Sequence, residues 1–548
     1  MRAQEDKTPW WKHAVIYEIY PRSFQDSNGD GVGDLNGITA RLDYLRDLGI
    51  DAIWITPMYP SPQVDFGYDI ADYKAIDPQY GTMEDFDRLV REAKRSNIRV
   101  IMDFVANHTS DQHPWFQASR ASRDNPKRDW YIWRDGRGPG QPPNNWLSWF
   151  GHSAWTLDPA TNQYYYHYFY VEQPDLNWRN PAVREAMYDV LRFWLDRGAA
   201  GFRIDAVSRL FEDPGLHDDP ILPGTNAYGD PNIEHKYTDN LPEVHDVLRE
   251  IRQVVDKYPG DPVLITEAFE PNIEELSKMY GAHGDEVQLP MDFQVADLDK
   301  LSAPEFRKLL DEIERNPAGG QPYFFFSNHD QVRQWDRYGD GVHNDQIAKL
   351  MATLLLTARG TPQMYYGEEL GMRTTPPTRK EDVKDPVGKI GWPEDKGRDG
   401  ERTPMQWDGS KNAGFSTAEQ TWLPVAADFA QRNASAEARN PGSILNFYKR
   451  LIALRRSEPA LRDGGYLAVN RDDEHVLAYV RKNPGAGESV LVALNMSAET
   501  RTLRFDLASV GVKGSSGRLL VPLAGHREKA PLSRVTLPPY GVLVVEVK

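Results

Sequence analysis

The sequence predicts a parallel (β/α)8 barrel with two long insertions and a C-terminal antiparallel β-domain. Three observations predict it. Short apolar runs alternate with amphipathic helical stretches through eight rounds between residue 14 and about residue 460. Two long segments, 106–180 and 371–442, interrupt that rhythm. After about residue 463 only short alternating runs remain. Strands that alternate with helices build a parallel sheet, because each parallel connection needs a crossover.

The strand candidates are AVIYEIY (14–20), AIWIT (52–56), RVIMDFV (99–105), GFRID (201–205), VLITEA (263–268), EVQLPMDF (286–293), YFFFSNHD (323–330) and PQMYYGEE (362–369). They are rich in β-branched and aromatic residues, which suit a buried pleated surface. Helical periodicity lies between them. In LPEVHDVLREIRQVVDKY the apolar residues Val244, Leu248, Ile251 and Val255 recur three or four apart. PAVREAMYDVLRFWLDRG opens on Pro181 and closes on Gly198, and DQIAKLMATLLLTARG packs through Ile347, Leu350, Met351 and Leu354.

The first insertion holds seven of the fifteen tryptophans and the run YYYHYFY (164–170), which reads more as core packing than as a sugar platform. The second is rich in Gly, Pro and charge, and loops this long inside a compact domain are usually functional. HVLAYVRK, SVLVALNM, TLRFDL and GVLVVEVK read as antiparallel strands near the C-terminus. The division is a barrel over 1–105 and 181–462, an inserted unit over 106–180 and a β-domain over 463–548.

Composition excludes several classes. The 548 residues suffice for roughly three to four domains. A net charge of −17 argues against nucleic acid or an anionic membrane surface and for a neutral small-molecule partner. There is no cysteine, so neither disulfides nor thiolate chemistry are available. LMATLLLTA (350–358) lies between Lys349 and Arg359 and is too short to span a membrane. MRAQEDKTPWWKH lacks the apolar stretch of a signal peptide, which reads as a cytoplasmic location, or a periplasmic or secreted one had a leader been removed.

DSNGDGVGDLNG (26–37) has the spacing of an EF-hand loop. Asp26, Asn28, Asp30 and Asp34 offer oxygens at alternate positions, the Val32 carbonyl offers another, and Gly31 stands at the sharp turn. Position 12, which should be a bidentate Glu, is Gly37, and the preceding stretch reads as a strand rather than a helix.

In a barrel of this kind the chemistry lies at the C-terminal ends of the strands. Strand four ends in Asp205, strand five in Glu267 and strand seven in Asp330. Arg203 stands two residues before Asp205 and shares its face, where it can hold that carboxylate ionised. His108 and His329 flank the same rim. Paired carboxyl groups suit glycosidic bonds, one giving a proton to the leaving oxygen and one attacking the anomeric carbon.

At these residues the sequence resembles the α-amylase superfamily, glycoside hydrolase family 13. DFVANH, GFRIDAV, ITEAF and FSNHD match its four signature regions, and QPDLN (173–177) matches a fifth. DSNGDGVGDLNG, FGYDIADY and RTPMQW are similar to its α-glucosidase and oligo-1,6-glucosidase branch. The resemblance implies a TIM barrel with a domain B inserted after strand three. It implies Asp205 as nucleophile, Glu267 as general acid/base and Asp330 as transition-state stabiliser. Arg203, His108 and His329 would hold the sugar ring, Tyr68 would stack on it, and Asp65 would pair with Arg402 behind the 4-hydroxyl. The loop would bind structural Ca2+, or Mg2+, through Asp26, Asn28, Asp30, Asp34 and the Val32 carbonyl. No organic cofactor is implied.

Such a closed pocket implies an exo-acting enzyme that releases glucose from short α-glucosides by a retaining mechanism. The residue after the nucleophile tends to be Val in the α-1,6 enzymes and Ala or Thr in the α-1,4 enzymes. Ala206 therefore favours α-1,4 bonds, whereas QPDLN is shared with the α-1,6 group. Transglucosylases, trehalose synthases and sucrose isomerases share the catalytic residues. Catalytically silent transporter subunits in the superfamily carry a transmembrane helix and have lost these carboxylates; this sequence has neither feature.

Overall fold

The computed structural model describes residues 8–316, 319–485, 487–523, 525 and 527–547. The first seven residues, where the signal-peptide reading began, and Lys548, the last of the final strand run, lie outside the described residues. Eight parallel strands form one sheet: β1 Ile16–Ile19, β2 Ala52–Ile55, β3 Arg99–Val105, β4 Gly201–Asp205, β5 Val263–Thr266, β6 Leu289–Pro290, β7 Tyr323–Phe324 and β8 Thr361–Tyr365. The order β6-β5-β4-β3-β2-β1-β8-β7 winds round, and a parallel bridge between Met291 and Tyr323 joins its two edges into a barrel. Gly201 permits one tight strand approach. Its φ is +147°, and a Cβ there would stand 2.1 Å from the Val263 carbonyl oxygen.

β3 and β4 have the predicted limits, whereas β6 and β7 keep only two residues of the eight read for each. Past Pro290 the chain turns into the helix Phe293–Ala296, whose first turn is capped by the Asp292 side chain. Past Phe324 it leaves the sheet and crosses the barrel mouth. Strand five likewise stops at Thr266, one residue before Glu267, and Asp330 sits six residues beyond the end of β7. The C-terminal part of PQMYYGEE is the 3-10 turn Glu368–Leu370 rather than strand.

The outer helices follow from their apolar faces. Pro181–Asp196 starts on an Asn180 cap and buries Val183, Met187, Val190, Leu191 and Trp194. Glu243–Val255 buries Val244, Leu248, Ile251 and Val255. Residues 350–357 belong to the helix Asn344–Thr357, buried against the barrel. Among the described residues no helix is long and apolar enough to cross a membrane.

Within 106–180 the strands Trp133–Arg134, Gln163–Tyr166 and Trp155–Asp158 form a small antiparallel sheet. Tyr164, Tyr166 and Tyr168 pack there with Ile132, Trp146 and Trp155. A hairpin absent from the sequence reading, Ile221–Thr225 with Pro231–Ile233, follows β4. Near the C-terminus six antiparallel strands form a sheet that includes Val476–Lys482, Ser489–Asn495 and Val542–Val547. TLRFDL contributes only Thr502 and Leu503 to the strand Arg501–Leu503, paired separately with Val535–Leu537, and Gly465–Val469, Ser516–Leu519 and Lys529–Pro531 are additional strands.

Two buried arginines, Arg455 from the helix Ile444–Ser457 and Arg481 from this sheet, meet at one helix end of the barrel. Arg455 donates from Nη1 to the carbonyls of Leu356 (3.0 Å) and Ala358 (3.3 Å), and Arg481 from Nη1 to that of Thr357 (2.6 Å). These carbonyls end the helix Asn344–Thr357, where free acceptors and the helix dipole both favour a cation. Burial nevertheless lowers Arg455 to about 10 and Arg481 to about 9.

Candidate active site

The parallel register sets Asp103 of β3 opposite Arg203 of β4, and Ile265 of β5 opposite it on the other side. Side chains at these positions point into the barrel, so Arg203 lies fully buried among acids. Its Nη1 donates to Asp205 at 2.6 Å and to Asp103 at 3.2 Å, and its Nη2 pairs with Glu267 at 2.9 Å. Arg203 thus holds both Asp205 and Glu267. Burial alone would lower its pKa, but Asp103 and Glu267 override that and keep it charged.

Burial pushes Asp205 and Glu267 up to about 7 each, with Arg203 opposing. The two acids face one cavity, and each raises the other's cost of ionising. Arg203 Nη1 lies nearer Asp205, at 2.6 Å, than its Nη2 lies to Glu267, at 2.9 Å. The Ala206 N–H donates to Glu267 Oε2 at 3.2 Å, from a left-handed backbone (φ 44°) that a β-branched residue adopts only with strain.

Asp330 is reached from the loop after β7. Burial would raise it, yet His329, Arg398 and Arg402 together hold it well below the usual carboxylate range. His329 Nε2 lies 3.1 Å from Asp330 Oδ2 and 2.8 Å from the Tyr68 hydroxyl. Its Nδ1 meets Glu18 of β1 at 2.7 Å. Tyr68 stacks on the His329 ring, with centroids 5.4 Å apart and planes 7° from parallel. His108 is pushed down to about 3 by burial, and its Nε2 meets the Gln173 amide at 3.1 Å.

Asp205, Glu267 and Asp330 face one cavity of about 500 Å³, with Asp65, Tyr68, His108 and Ala206 also in its wall. Arg203, His329 and Arg402 stand behind that wall. The expected Asp65–Arg402 pair is not made. Arg402 is committed to the His329 carbonyl (2.7 Å) and to Asp330 (2.6 Å). Arg398, four residues earlier, takes the place expected of it, donating to Asp65 at 2.8 Å and to Asp330 at 2.9 Å. The sequence reading names Arg402 alone; Arg398 stands four residues before it in GRDGERTPMQW. Gln173, within the QPDLN motif, joins His108 to Asp65 and was also missed.

The other side of the cavity is aromatic. Phe269 and Phe293 lie 4.1 Å apart between ring centroids, Trp149 flanks Phe269 at 6.3 Å, and Arg209 sits over Tyr168 at 4.6 Å. Tyr168 and Phe169, from the run at 164–170, line the cavity too, so that stretch serves both core and site.

The loop 26–34 lies against the second insertion through Ser416, which donates to Asp26 at 2.5 Å. Successive side chains curl it: Asp26 accepts from the N–H groups of Asn28, Gly29 and Gly31, Asn28 from Asp30, and Asp30 from Val32. Asp34 accepts from Ser27 and Gly37. Among the described residues no three His, Asp or Glu side chains converge tightly enough to hold a metal.

The family described as alpha amylase, catalytic domain, matches residues 18–464. A probable alpha-glucosidase of Rhizobium meliloti (strain 1021) is 42% identical over 550 residues, spanning 98% of this chain and 97% of that protein. An oligo-1,6-glucosidase of Heyndrickxia coagulans is 42% identical over 530 residues, spanning 90% of this chain and 93% of that protein. Among solved structures, a mutant of the isomaltulose synthase of Erwinia rhapontici NX5 in complex with its natural substrate sucrose aligns with a TM-score of 0.89 at 38% identity, covering 99% of this chain and 100% of that one.

Proposed function

The chain belongs to glycoside hydrolase family 13, the α-amylase family, in its α-glucosidase and oligo-1,6-glucosidase branch, and from that premise we infer a retaining, exo-acting α-glucosidase that removes glucose from short α-1,4-glucosides. One observation carries the reading: Arg203 holds Asp205 and Glu267 together in a single cavity, with Asp330 on its wall. Two carboxyl groups hung on one guanidinium favour the short separation, about 5–5.5 Å, of retaining enzymes. Asp205 attacks the anomeric carbon as Glu267 gives its proton to the departing glycosidic oxygen. Glu267 then takes a proton from water, which displaces Asp205 and frees glucose. The ionised Asp330 balances positive charge developing on the sugar ring. Asp65 and Arg398 support a cavity closed behind the non-reducing end, as exo action requires.

A second reading, transglucosylation or sucrose isomerisation, is favoured by the aromatic mouth. Phe269, Phe293 and Trp149 offer apolar faces to a sugar held at the glucosyl-enzyme stage. A time course on maltose, isomaltose and sucrose tests both. Glucose forming fastest from maltose is the expected result. Faster release from isomaltose overturns the α-1,4 preference, and conversion of sucrose to an isomeric disaccharide overturns hydrolysis as the main activity.

The loop 26–34 offers a hard divalent cation only oxygen donors at EF-hand spacing, and its three aspartates, which here accept from loop N–H groups, would have to draw together around the ion. Asp26, Asn28, Asp30, Asp34 and the Val32 carbonyl would hold Ca2+, or Mg2+, as a structural ion tying strand β1 to the second insertion. Chelation is expected to lower Tm by several degrees and added Ca2+ to restore it, with kcat at 25 °C nearly unchanged. Asp30→Ala should lose that response in differential scanning calorimetry.

A further inference from the structure

The segment 384–399, within the insertion that follows β8, folds back on itself beside the cavity. Its two limbs are tied by a pair of aspartates, each accepting from the other limb's backbone. Asp399 accepts from the N–H of Lys384 (2.6 Å) and of Asp385 (3.1 Å), and Asp385 accepts from the N–H of Arg398 (2.6 Å). Gly388 lies so close to the opposite limb that a Cβ would stand 2.3 Å from the Lys396 carbonyl oxygen.

This stem carries Arg398. Its Nε donates to Asp385 Oδ2 at 2.9 Å and its Nη2 to Asp385 Oδ1 at 3.0 Å, a side-on fork that fixes the plane of the guanidinium. The same Nη2 also donates to Asp65, and Nη1 to Asp330. Asp385 is fully buried and lies behind the cavity wall, whereas Arg398 lines it. A buried carboxylate is costly unless paired. Burial would raise this one, but Arg398 overrides it, and Asp385 is held down at about 2.

We propose that Asp385 is the positioning residue of the sugar pocket, locking the Arg398 guanidinium so that its remaining N–H groups hold Asp65 and Asp330 in place on the cavity wall. Without the fork, a long arginine facing two acids keeps its charge and loses its orientation. The proposal rests on the reading of this cavity as the glucose site. It assigns to the second insertion a task at the far end of that sugar, at its 4-hydroxyl.

The test compares kcat/KM for an aryl α-glucoside and its 4-deoxy analogue in wild type, Asp385→Asn and Asp385→Glu. Asp385→Asn is expected to lose about tenfold or more on the glucoside, chiefly in KM, and under about threefold on the analogue, the scale of one misplaced charge-assisted contact. Asp385→Glu should recover part of the loss. Equal losses on both substrates, or none, overturn the proposal. Should Asp385→Asn fail to fold, Arg398→Lys, which keeps the charge without the fork, must show the same selective loss. A wild-type enzyme that turns over neither substrate overturns the functional reading, and this inference with it.

Discussion

Asp205→Asn is expected to fold normally and to lose turnover by ~10⁴-fold or more, the scale on which removal of a covalent nucleophile is felt. Asparagine keeps the shape and still offers an oxygen to Arg203 Nη1, now 2.6 Å from Asp205. Arg203 retains Asp103 and Glu267 as partners, so the barrel interior stays charge-balanced. What disappears is the negative charge that attacks the sugar. Removing it also relieves Glu267, one of whose upward influences is Asp205 itself, so the remaining acid loses its proton more easily. The measurements are kcat on an aryl α-glucoside, Tm, and mass spectrometry for a glucosyl adduct. Substantial turnover, or an adduct still forming on the variant, would remove Asp205 from its role.

Glu267→Gln should divide substrates by leaving group. Losing the general acid costs about 10²–10⁴ in rate where the departing oxygen needs a proton, as in maltose. An aryl glucoside with an acidic phenol should form the intermediate at a nearly normal rate and then stall, since no base activates water. Added azide, which needs no base, is expected to restore release as glucosyl azide. The pH profile supplies the sign. Glu267 acts in its protonated form, and burial raises it to about 7, so wild-type activity falls as pH rises through that value. In the glutamine variant the alkaline limb should be missing. A limb that persists unchanged would assign the titration to another group.

Much of the site was legible because barrel geometry converts strand ends into neighbours. GFRID ends where β4 ends, and its alternation alone placed Arg203 and Asp205 on one face. Glu267 follows directly after β5. Asp330 lines the same cavity without standing at a strand end: its strand stops at Phe324, and the loop beyond carries it there. The less legible contacts depend on loop shape. Nothing in the spacing of GRDGERTPMQW separates Arg398 from Arg402, because their partners come from segments hundreds of residues apart and meet only in the folded chain. In AVIYEIY nothing distinguishes Glu18 from the rest of a buried strand, yet its carboxylate lies 2.7 Å from His329 Nδ1. Asp385 gave no signal either. An aspartate before proline reads as an ordinary turn, and its second task, gripping a guanidinium, is invisible without coordinates.

The arginines that close the end of the helix Asn344–Thr357 bear on how small a working enzyme could be made. That helix succeeds the loop bearing His329 and Asp330, and one of its two buried caps, Arg481, is supplied by the terminal sheet. Trimming the chain at residue 462 would therefore leave the Thr357 carbonyl without its partner in a dry setting. The residues from 463 on are better regarded as masonry of the reaction chamber than as a detachable appendage.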